Sequence, residues 1–159
     1  MDEIARHQNV RAVEDALRAA GADPQVRVLP ETAPSAAAAA EQLGCPVAAI
    51  ANSLIFDMGG VPLLVLTSGA HRVDTGKLAA HLGVPKLARA SAAFVREHTG
   101  QVIGGVAPVG HPAPIRTLID ETLAGHERIW AAAGHPHTVF PTTYAQLLAA
   151  TGAEPVAVN

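Results

Sequence analysis

The chain contains one cysteine, few aromatic residues and few charged residues, and each shortage excludes a class of protein. A single cysteine, Cys45, excludes an internal disulfide and a zinc site built from several thiolates. The charged fraction of 16% excludes a disordered polyelectrolyte, and an aromatic fraction of 3% predicts an aliphatic core. Cys45 precedes Pro46, and a small apolar core residue explains it better than a catalytic nucleophile.

Membrane and export signals are also missing from the sequence. No apolar run approaches the roughly 18 residues that a membrane-spanning helix needs. Residues 1–6 lack the basic-then-apolar order of a signal peptide. We therefore expect a cytoplasmic protein with no membrane partner. The length of 159 residues and the hydrophobic fraction of 49% predict one domain over 1–159 with a substantial core.

The net charge of −3 argues against nucleic-acid binding, because contacts to phosphates need Lys and Arg. The charge is uneven, however. Residues 72–96 contain five Lys or Arg against one Asp, a net +4, which leaves −7 for the rest of the chain. A local basic face can bind a tRNA end on an acidic protein. A solvated helix surface with no partner explains the same charges equally well.

Hydrophobic periodicity and chain-breaking residues predict a mixture of helices and strands. Helices are predicted over 4–20, 34–44, 74–83, 91–99 and from Thr142 or Thr143 to 152, and strands over 25–29, 50–57, 62–68, 102–103, 115–119, 128–132, 138–140 and 156–158. The glycines between the second and third strands predict a central β-hairpin. Because no regular βαβ rhythm appears, the predicted fold class is α+β: a single domain with a curved mixed β-sheet surrounded by helices.

Glycine is concentrated in residues 100–111, where Gly104 and Gly105 are adjacent. Glycine permits positive φ and leaves no Cβ in the way, so the two N–H groups are candidates for binding a carbonyl or a developing oxyanion. A β-bulge or tight turn without a ligand is the competing interpretation, and the glycines alone favour it. The spacing matches neither a P-loop nor a dinucleotide-binding fingerprint.

Several segments are similar, in order, to those of one family. Residues 103–111 read Ile-Gly-Gly-Val-Ala-Pro-Val-Gly-His, and residues 68–74 read Ser-Gly-Ala-His-Arg-Val-Asp. They resemble the GGVxPxGH and SGxxRxD segments of the YbaK/EbsC-like prolyl-tRNA editing domain family. Residues 51–56 resemble a strand in which that family usually has Lys-Ser-Leu-Val-Phe, and 130–134 with 147–152 complete the order. The resemblance extends over nearly the whole chain.

The resemblance implies the fold and an activity. The activity is hydrolysis of the ester between an amino acid and the 3′-terminal adenosine of tRNA, chiefly tRNA for proline that carries a wrong small residue. Such a second sieve is needed because a synthetase pocket discriminates poorly between side chains of similar size. The resemblance also implies catalysis without a cofactor, metal or covalent nucleophile. The implied partners are the acceptor end of aminoacyl-tRNA and, by extension, prolyl-tRNA synthetase.

The resemblance implies a catalytic set of Gly104, Gly105 and Asn52, in which the glycine amides contact the oxyanion. Asn52 stands where the family commonly has a lysine that holds the substrate, and it offers a neutral donor and acceptor instead of a positive charge. This change is consistent with altered specificity, with a weakened enzyme, or with an amide that satisfies nearby backbone. A non-catalytic module that binds aminoacyl-tRNA or a synthetase is the alternative function.

The implied substrate-binding residues are His111, Ser68, Gly134, His135 and Arg72. His111 either orients the loop or the terminal adenosine, or is an ordinary loop histidine with its hydrogen bonds satisfied. Asp74 either caps a helix or positions Arg72. His135 and His137 are two residues apart, but two histidines without a third ligand are a weak metal signal, so we expect no metal site.

Overall fold

The structure, a computed structural model, describes residues 2–159. The helices are α1 Asp2–Ala5, α2 Gln8–Ala19, α3 Ala36–Leu43, α4 Thr75–Leu82, α5 Ala92–Thr99 and α6 Tyr144–Thr151, with 3-10 turns at Val47–Ala49 and Glu121–Gly125. The strands are β1 Arg27–Val28, β2 Ile50–Met58, β3 Val61–Ser68, β4 Ala88–Arg89, β5 Arg116–Asp120, β6 Ile129–Ala132, β7 Thr138–Thr142 and β8 Glu154–Val156. No helix within residues 2–159 combines the length and apolar character that crossing a membrane requires.

All eight strands belong to one mixed sheet. Its order is β1-β7-β6-β2-β3-β5-β8, and β4 pairs with β2 beside this path. The central hairpin β2–β3 turns through Gly59 and Gly60, whose φ values of 65° and 92° suit a tight two-residue hairpin turn. β2–β6, β3–β5 and β5–β8 are parallel pairs, and the other pairs are antiparallel. The predicted α+β fold with a mixed sheet is confirmed.

Local capping chemistry determines where four of the helices begin and end. The side chains of Ser35, Asp74, Ser91 and Thr143 each accept a backbone N–H from the first turn of α3, α4, α5 and α6. Each of these helices is followed by a glycine with positive φ, which releases the chain without a Cβ clash. Asp74 is therefore a helix cap, one of its two predicted roles.

The core lies on both faces of the sheet and is largely aliphatic. On one face Ala51 and Ile55 of β2 belong to a cluster that includes Leu17 of α2 and Leu147 of α6. On the other face Phe56 belongs to a cluster with residues of β3 and α4. Burying one leucine side chain contributes about 1.5–3 kcal/mol, so these clusters stabilise the two helical layers on the sheet.

Cys45 packs against a third cluster, beside α3. Burial raises the pKa of the Cys45 thiol, although a backbone hydrogen bond lowers it in part. The thiol therefore stays protonated at neutral pH. This environment suits a small apolar residue better than a nucleophile.

The strand predicted at Val102–Ile103 is wrong. No described strand lies between α5 and β5, and the loop there is organised by a side chain. Gln101, only 1% exposed, accepts a hydrogen bond from the Ala107 amide through Oε1 at 2.7 Å. Because this local contact and a turn at 102–105 use the backbone, the segment has no sheet partner.

Three elements show the main differences from the predicted boundaries. The helix expected over 4–20 is interrupted, because His7 caps α2 by accepting the Asn9 N–H through Nδ1 at 3.1 Å. The first strand is reduced to Arg27–Val28. The last strand is Glu154–Val156, whose parallel partner is β5, so the predicted edge strand exists but begins earlier.

Candidate active site

A cleft opens where β2 and β6 separate. The two strands pair in parallel only at Ile50 with Trp130 and at Ala51 with Ala131. β4 pairs with the same edge of β2 only from Phe56 onward. Within the described residues, positions 52–55 of β2 therefore have no strand beside them on that edge. A gap in strand pairing beyond the last parallel contact leaves backbone and side chains available to a ligand.

The cleft has a volume of about 510 Å³, including space that is open to solvent. Its walls are mostly apolar and come from the start of α3, from β2, from the glycine-containing loop, and from β6 and β7. Ser35 and Thr138 contribute hydroxyl groups that already bond to the protein, because Ser35 accepts the Ala38 N–H as the cap of α3 and Thr138 donates to the His135 carbonyl at 2.9 Å. Two other residues of the cleft have polar side-chain groups that make no hydrogen bond within the described chain.

Those groups belong to Asn52 and Ser53. The half-buried Asn52 amide makes no side-chain hydrogen bond with any residue from 2 to 159, so the interpretation that it satisfies nearby backbone finds no support. The Ser53 hydroxyl is buried and also has no partner within that range. Leaving a buried polar group unsatisfied costs about 1–3 kcal/mol. Such a cost is common where a site keeps a group available for its ligand.

Sequence reasoning missed Ser53, which is not among the predicted site residues. Its position next to Asn52 in the strand that resembles the family motif was the available signal. The missing hydrogen bond has no local sequence signature, because the residues around the hydroxyl come from several elements. Ser53 therefore joins the candidate site on structural grounds alone.

Gly104 and Gly105 meet two different backbone requirements. Residues 102–105 form a turn in which the Gly105 N–H donates to the Val102 carbonyl at 2.9 Å, and Gly104 has φ of +91°. A positive φ at the third position is typical of a type II turn and favours glycine. A Cβ on Gly105 would lie 2.9 Å from His135 C and Pro136 N, so that glycine is needed for close packing.

Only one of the two glycine amides is available. The Gly105 N–H is used inside the turn, whereas the Gly104 N–H has no hydrogen-bond partner in the described chain. Gly104 also lines the cleft, and an added Cβ there would lie 3.8 Å from Pro34 Cα, just before α3. The amide of Gly104 and the positive end of the α3 dipole are therefore close to each other at the cleft.

His111 lies outside the cleft and lines a separate depression with Pro108, Gly110 and Pro112. Burial lowers the pKa of His111, although the hydrogen bond to Ala107 raises it in part. The neutral ring is 2.9 Å from the Ala107 carbonyl through Nε2. Of its predicted roles, this geometry fits orienting the loop, because the hydrogen bond between His111 and Ala107 joins the two ends of segment 107–111, which follows the turn.

Ser68 is buried and serves the backbone. Its hydroxyl donates to the Ala48 carbonyl at 2.9 Å, and its N–H donates to the Asp120 carboxylate at 3.0 Å. Asp120 is also 2.7 Å from the His71 ring and accepts from the Thr122 hydroxyl at 2.7 Å. These bonds hold the chain at the ends of β3 and β5. Ser68 is not among the residues that line the cleft.

Arg72 is exposed and forms no ion pair with any described carboxylate. The predicted positioning of Arg72 by Asp74 is not observed, because the Asp74 carboxylate accepts the Lys77 N–H at 3.0 Å as a cap. Arg72 is therefore available to a phosphate, but it is not among the residues that line the cleft.

Gly134 and His135 lie next to the glycine turn, because Gly105 packs against the backbone of His135. Gly134 has φ of +99°, and an added Cβ would lie 2.9 Å from the Asn9 carbonyl oxygen. The His135 ring packs against His7 and His137 with centroid distances of 5.4 and 5.7 Å. Burial, followed by repulsion from His7 and His137, lowers the pKa of His135. Over residues 2–159, no three His, Cys, Asp or Glu side chains are arranged to hold a metal ion.

Comparisons with solved structures agree on the fold. A protein described as an enzyme proposed to edit in trans for prolyl-tRNA synthetase is 39% identical, with a TM-score of 0.89 over 95% of this chain and 96% of that one. A scaffold protein from epitope grafting by computational design is 37% identical, with a TM-score of 0.89 over 95% and 97% of the two chains.

Sequence comparisons identify the family. The proline–tRNA ligase of Lysinibacillus sphaericus (strain C3-41) is 32% identical over 74 residues, which are 46% of this chain but only 13% of the ligase. The match therefore spans a small part of that relative. The family model for the aminoacyl-tRNA editing domain matches residues 30–150, well over half of the chain. The predicted family is confirmed: this chain belongs to the aminoacyl-tRNA editing domain family.

Proposed function

We propose that the protein deacylates mischarged aminoacyl-tRNA in trans, with tRNA for proline carrying a small noncognate amino acid as its main substrate. One observation carries the proposal: Gly104 and Asn52 line one cleft, and the Gly104 N–H and the Asn52 side-chain amide have no hydrogen-bond partners among the described residues. These are the groups that an ester carbonyl and an amino acid backbone need. Family membership supports aminoacyl-tRNA as the source of that ester.

In the proposed reaction the ester carbonyl oxygen accepts the Gly104 N–H, and Asn52 Nδ2 is the second donor. Water attacks the carbonyl carbon, and the negative charge that develops on the carbonyl oxygen is stabilised by these fixed donors. The bond between the carbonyl carbon and the ribose oxygen then breaks. The ribose oxygen takes the proton that the water has lost, so the products are free amino acid and uncharged tRNA.

The proton in this reaction has no protein carrier at the cleft. The cleft-lining residues of the described chain include no Asp, Glu, His, Lys or Arg. A group of the substrate, the neighbouring ribose hydroxyl or the α-amino group, must therefore relay the proton. This assignment leaves the protein with positioning and electrostatic stabilisation, which together are sufficient for large rate enhancements.

The preference for a small amino acid follows from the walls of the cleft. Ile50, Trp130 and Val139 are bulky and buried, and they line the cleft together with Asn52. Such packed side chains do not move aside without cost, since protein interiors are as dense as crystals. A small side chain fits, whereas a larger one would need repacking of the core.

The direct test measures release of amino acid from tRNA for proline charged with alanine, serine or cysteine, with proline as the cognate control. We expect release of at least one small noncognate residue and little release of proline. The variant Asn52→Asp keeps the shape but removes the donor, and it should lower kcat by roughly 10²–10³, the range for one oxyanion donor. No turnover by the folded wild-type protein on any charged tRNA would contradict the proposal.

A non-catalytic binding module is the second candidate, and Asn52 in place of the usual lysine favours it. In that case the wild-type protein binds charged tRNA without releasing amino acid. The variant Asn52→Lys should then create activity that the wild type lacks. Prolyl-tRNA synthetase is a proposed partner under either function, and co-purification of the two proteins in the presence and absence of tRNA tests that association.

A further inference from the structure

Three large hydrophobic side chains are exposed in the described chain, and two of them precede the catalytic glycine of the proposed function. Val102 is 36% exposed and Ile103 is 61% exposed, whereas the third, Val61, follows the hairpin turn. Ile103 is the second residue of the turn whose third residue is Gly104. An apolar side chain at this exposed turn position adds nothing to the core, because it contacts solvent.

A cation lies beside this apolar pair. Arg96 of α5 lines the same shallow depression as Val102 and Ile103, and Ala92 and Ala93 complete its floor. Arg96 is exposed and forms no ion pair with any carboxylate in the part of the chain that the structure describes. The depression therefore combines an apolar surface with an available positive charge.

We propose that Val102, Ile103 and Arg96 bind the 3′-terminal nucleotide of the tRNA acceptor end, an inference that rests on the proposed function. The flat face of a base covers the two aliphatic side chains, and the guanidinium of Arg96 binds a phosphate oxygen. Guanidinium suits phosphate because its N–H groups match two oxygens at once. Single-strand binding surfaces combine cations with apolar, usually aromatic, side chains on which bases lie, and here two aliphatic side chains take the place of the aromatic ones.

Continuity with the cleft favours a nucleotide over an unrelated ligand. Ile103 and Gly104 are consecutive, so their Cα atoms are about 3.8 Å apart. In aminoacyl-tRNA the ester is attached to the same ribose as the terminal base. A base seated on Ile103 therefore leaves the ester within reach of the Gly104 amide, and the two sites hold adjoining parts of one substrate.

The test compares Ile103→Ser and Arg96→Gln with matched controls at the far end of the β2–β3 hairpin. Val61→Ser makes the same apolar-to-polar change, and Arg116→Gln removes a charge from an exposed arginine outside residues 72–96, which pairs with Leu63 near the hairpin turn. The substrate is the mischarged tRNA that the wild type hydrolyses best. We expect KM to rise roughly 5- to 10-fold in the two test variants, the low end of what a stacked base contributes, with kcat nearly unchanged. The controls should match the wild type.

Salt dependence separates the two parts of the surface. Arg96→Gln should reduce the slope of log Kd for uncharged tRNA against log salt concentration by about 0.7, the value for one phosphate contact on a single strand. Ile103→Ser should weaken binding without changing the slope. Arg116→Gln reports whether the loss of a basic residue elsewhere on the surface has the same effect.

Each outcome bears on a different claim. If the wild type hydrolyses no charged tRNA, the proposed function fails. If it is active and the KM and slope of both test variants equal those of the wild type, the nucleotide surface is wrong and the function stands. If the test variants lose binding to prolyl-tRNA synthetase while tRNA binding is unchanged, the patch is a protein interface and the inference is overturned. Ile103→Leu, which retains the apolar surface, should behave like the wild type.

Discussion

At the scale of single residues, the candidate site depends on hydrogen bonds that are missing. Ser53 and Ser68 show the contrast, since both are serines of the central hairpin with shielded hydroxyls. The Ser68 hydroxyl donates to the Ala48 carbonyl at 2.9 Å, whereas the Ser53 hydroxyl has no partner among residues 2–159. One hydroxyl stabilises the fold, and the other is left unpaired in a residue that lines the cleft.

We therefore predict opposite effects for two identical substitutions. Ser53→Ala should leave the free energy of unfolding unchanged or slightly raised, because it removes an unsatisfied group, and should lower kcat/KM for deacylation. Ser68→Ala should lower the free energy of unfolding by about 1 kcal/mol or more, because it leaves a buried carbonyl unpaired. Urea unfolding and deacylation kinetics measure the two effects. A Ser53→Ala variant with full activity would remove Ser53 from the site.

The second glycine of the pair offers another test at this scale. Gly105→Ala would place a Cβ 2.9 Å from the backbone of His135 and Pro136. We expect a loss of about 1–3 kcal/mol in the free energy of unfolding, or a displaced loop with at least tenfold lower activity. Gly125→Ala is the control, because nothing lies within 4 Å of the added Cβ. Equal activity and stability in the two variants would show that the close approach is unimportant.

At the scale of secondary-structure elements, the site exists because two parallel strands pair over only two residues. β2 continues past Ala51 beside β3, while β6 ends at Ala132 and turns into β7. The start of α3 and the glycine turn cover the gap that results. Helix ends and turns supply directed N–H groups, so the elements at this gap are suited to an ester carbonyl.

The helix caps give a prediction that separates structure from substrate binding. Asp74→Ala should lower the free energy of unfolding by about 1 kcal/mol, whereas Asp74→Asn should cost only a few tenths, since asparagine caps equally well. Neither change should alter KM for charged tRNA, because the carboxylate contacts the Lys77 amide and not Arg72. A higher KM in Asp74→Asn, measured with unchanged stability, would restore the alternative that Asp74 positions Arg72.

At the scale of the whole molecule, buried titratable groups make stability depend on pH in two windows. Burial raises the pKa of Asp120, but hydrogen bonds from Thr122, Ser68 and His71 outweigh it and lower the pKa below its ordinary value. Burial lowers the pKa of His111 and, with repulsion from neighbouring histidines, that of His135. In every case the unfolded chain binds protons more readily than the folded one.

The free energy of unfolding should therefore fall as the pH decreases. The histidines contribute the first decrease below about pH 6.5, their ordinary pKa, and Asp120 contributes a second below about pH 4. Asp120→Asn should lower the free energy of unfolding at neutral pH and should make the decrease below about pH 4 smaller. Urea unfolding from pH 3 to 8 measures both. Stability that rises on acidification in either window would contradict these assignments.

The same pH range tests the absence of a protein base at the cleft. Because no cleft-lining residue of the described chain titrates, His111→Gln should change the free energy of unfolding without shifting the midpoint of the kcat–pH profile. A shifted midpoint would identify His111 as part of the proton relay. We expect the profile to follow the α-amino group of the substrate instead.

Sequence alone determined the features that local chemistry specifies. The starts of four helices were readable because a Ser, Thr or Asp cap acts on amides two or three residues away, and their ends because a glycine with positive φ follows. The hairpin was readable from Gly59 and Gly60. The family and the α+β fold followed from segments that occur in a specific order.

Tertiary structure decided the features that depend on distant partners. Residues 102–103 have strand-like side chains, but the Gln101 side chain and the turn use the nearby backbone, so no strand forms. His111 lies beside its own loop and outside the cleft, although its motif placed it at the site. The availability of the Asn52 side chain depends on where β2 and β6 separate. These strands are far apart in the chain, and only packing of the whole sheet determines which hydrogen bonds between them remain unmade.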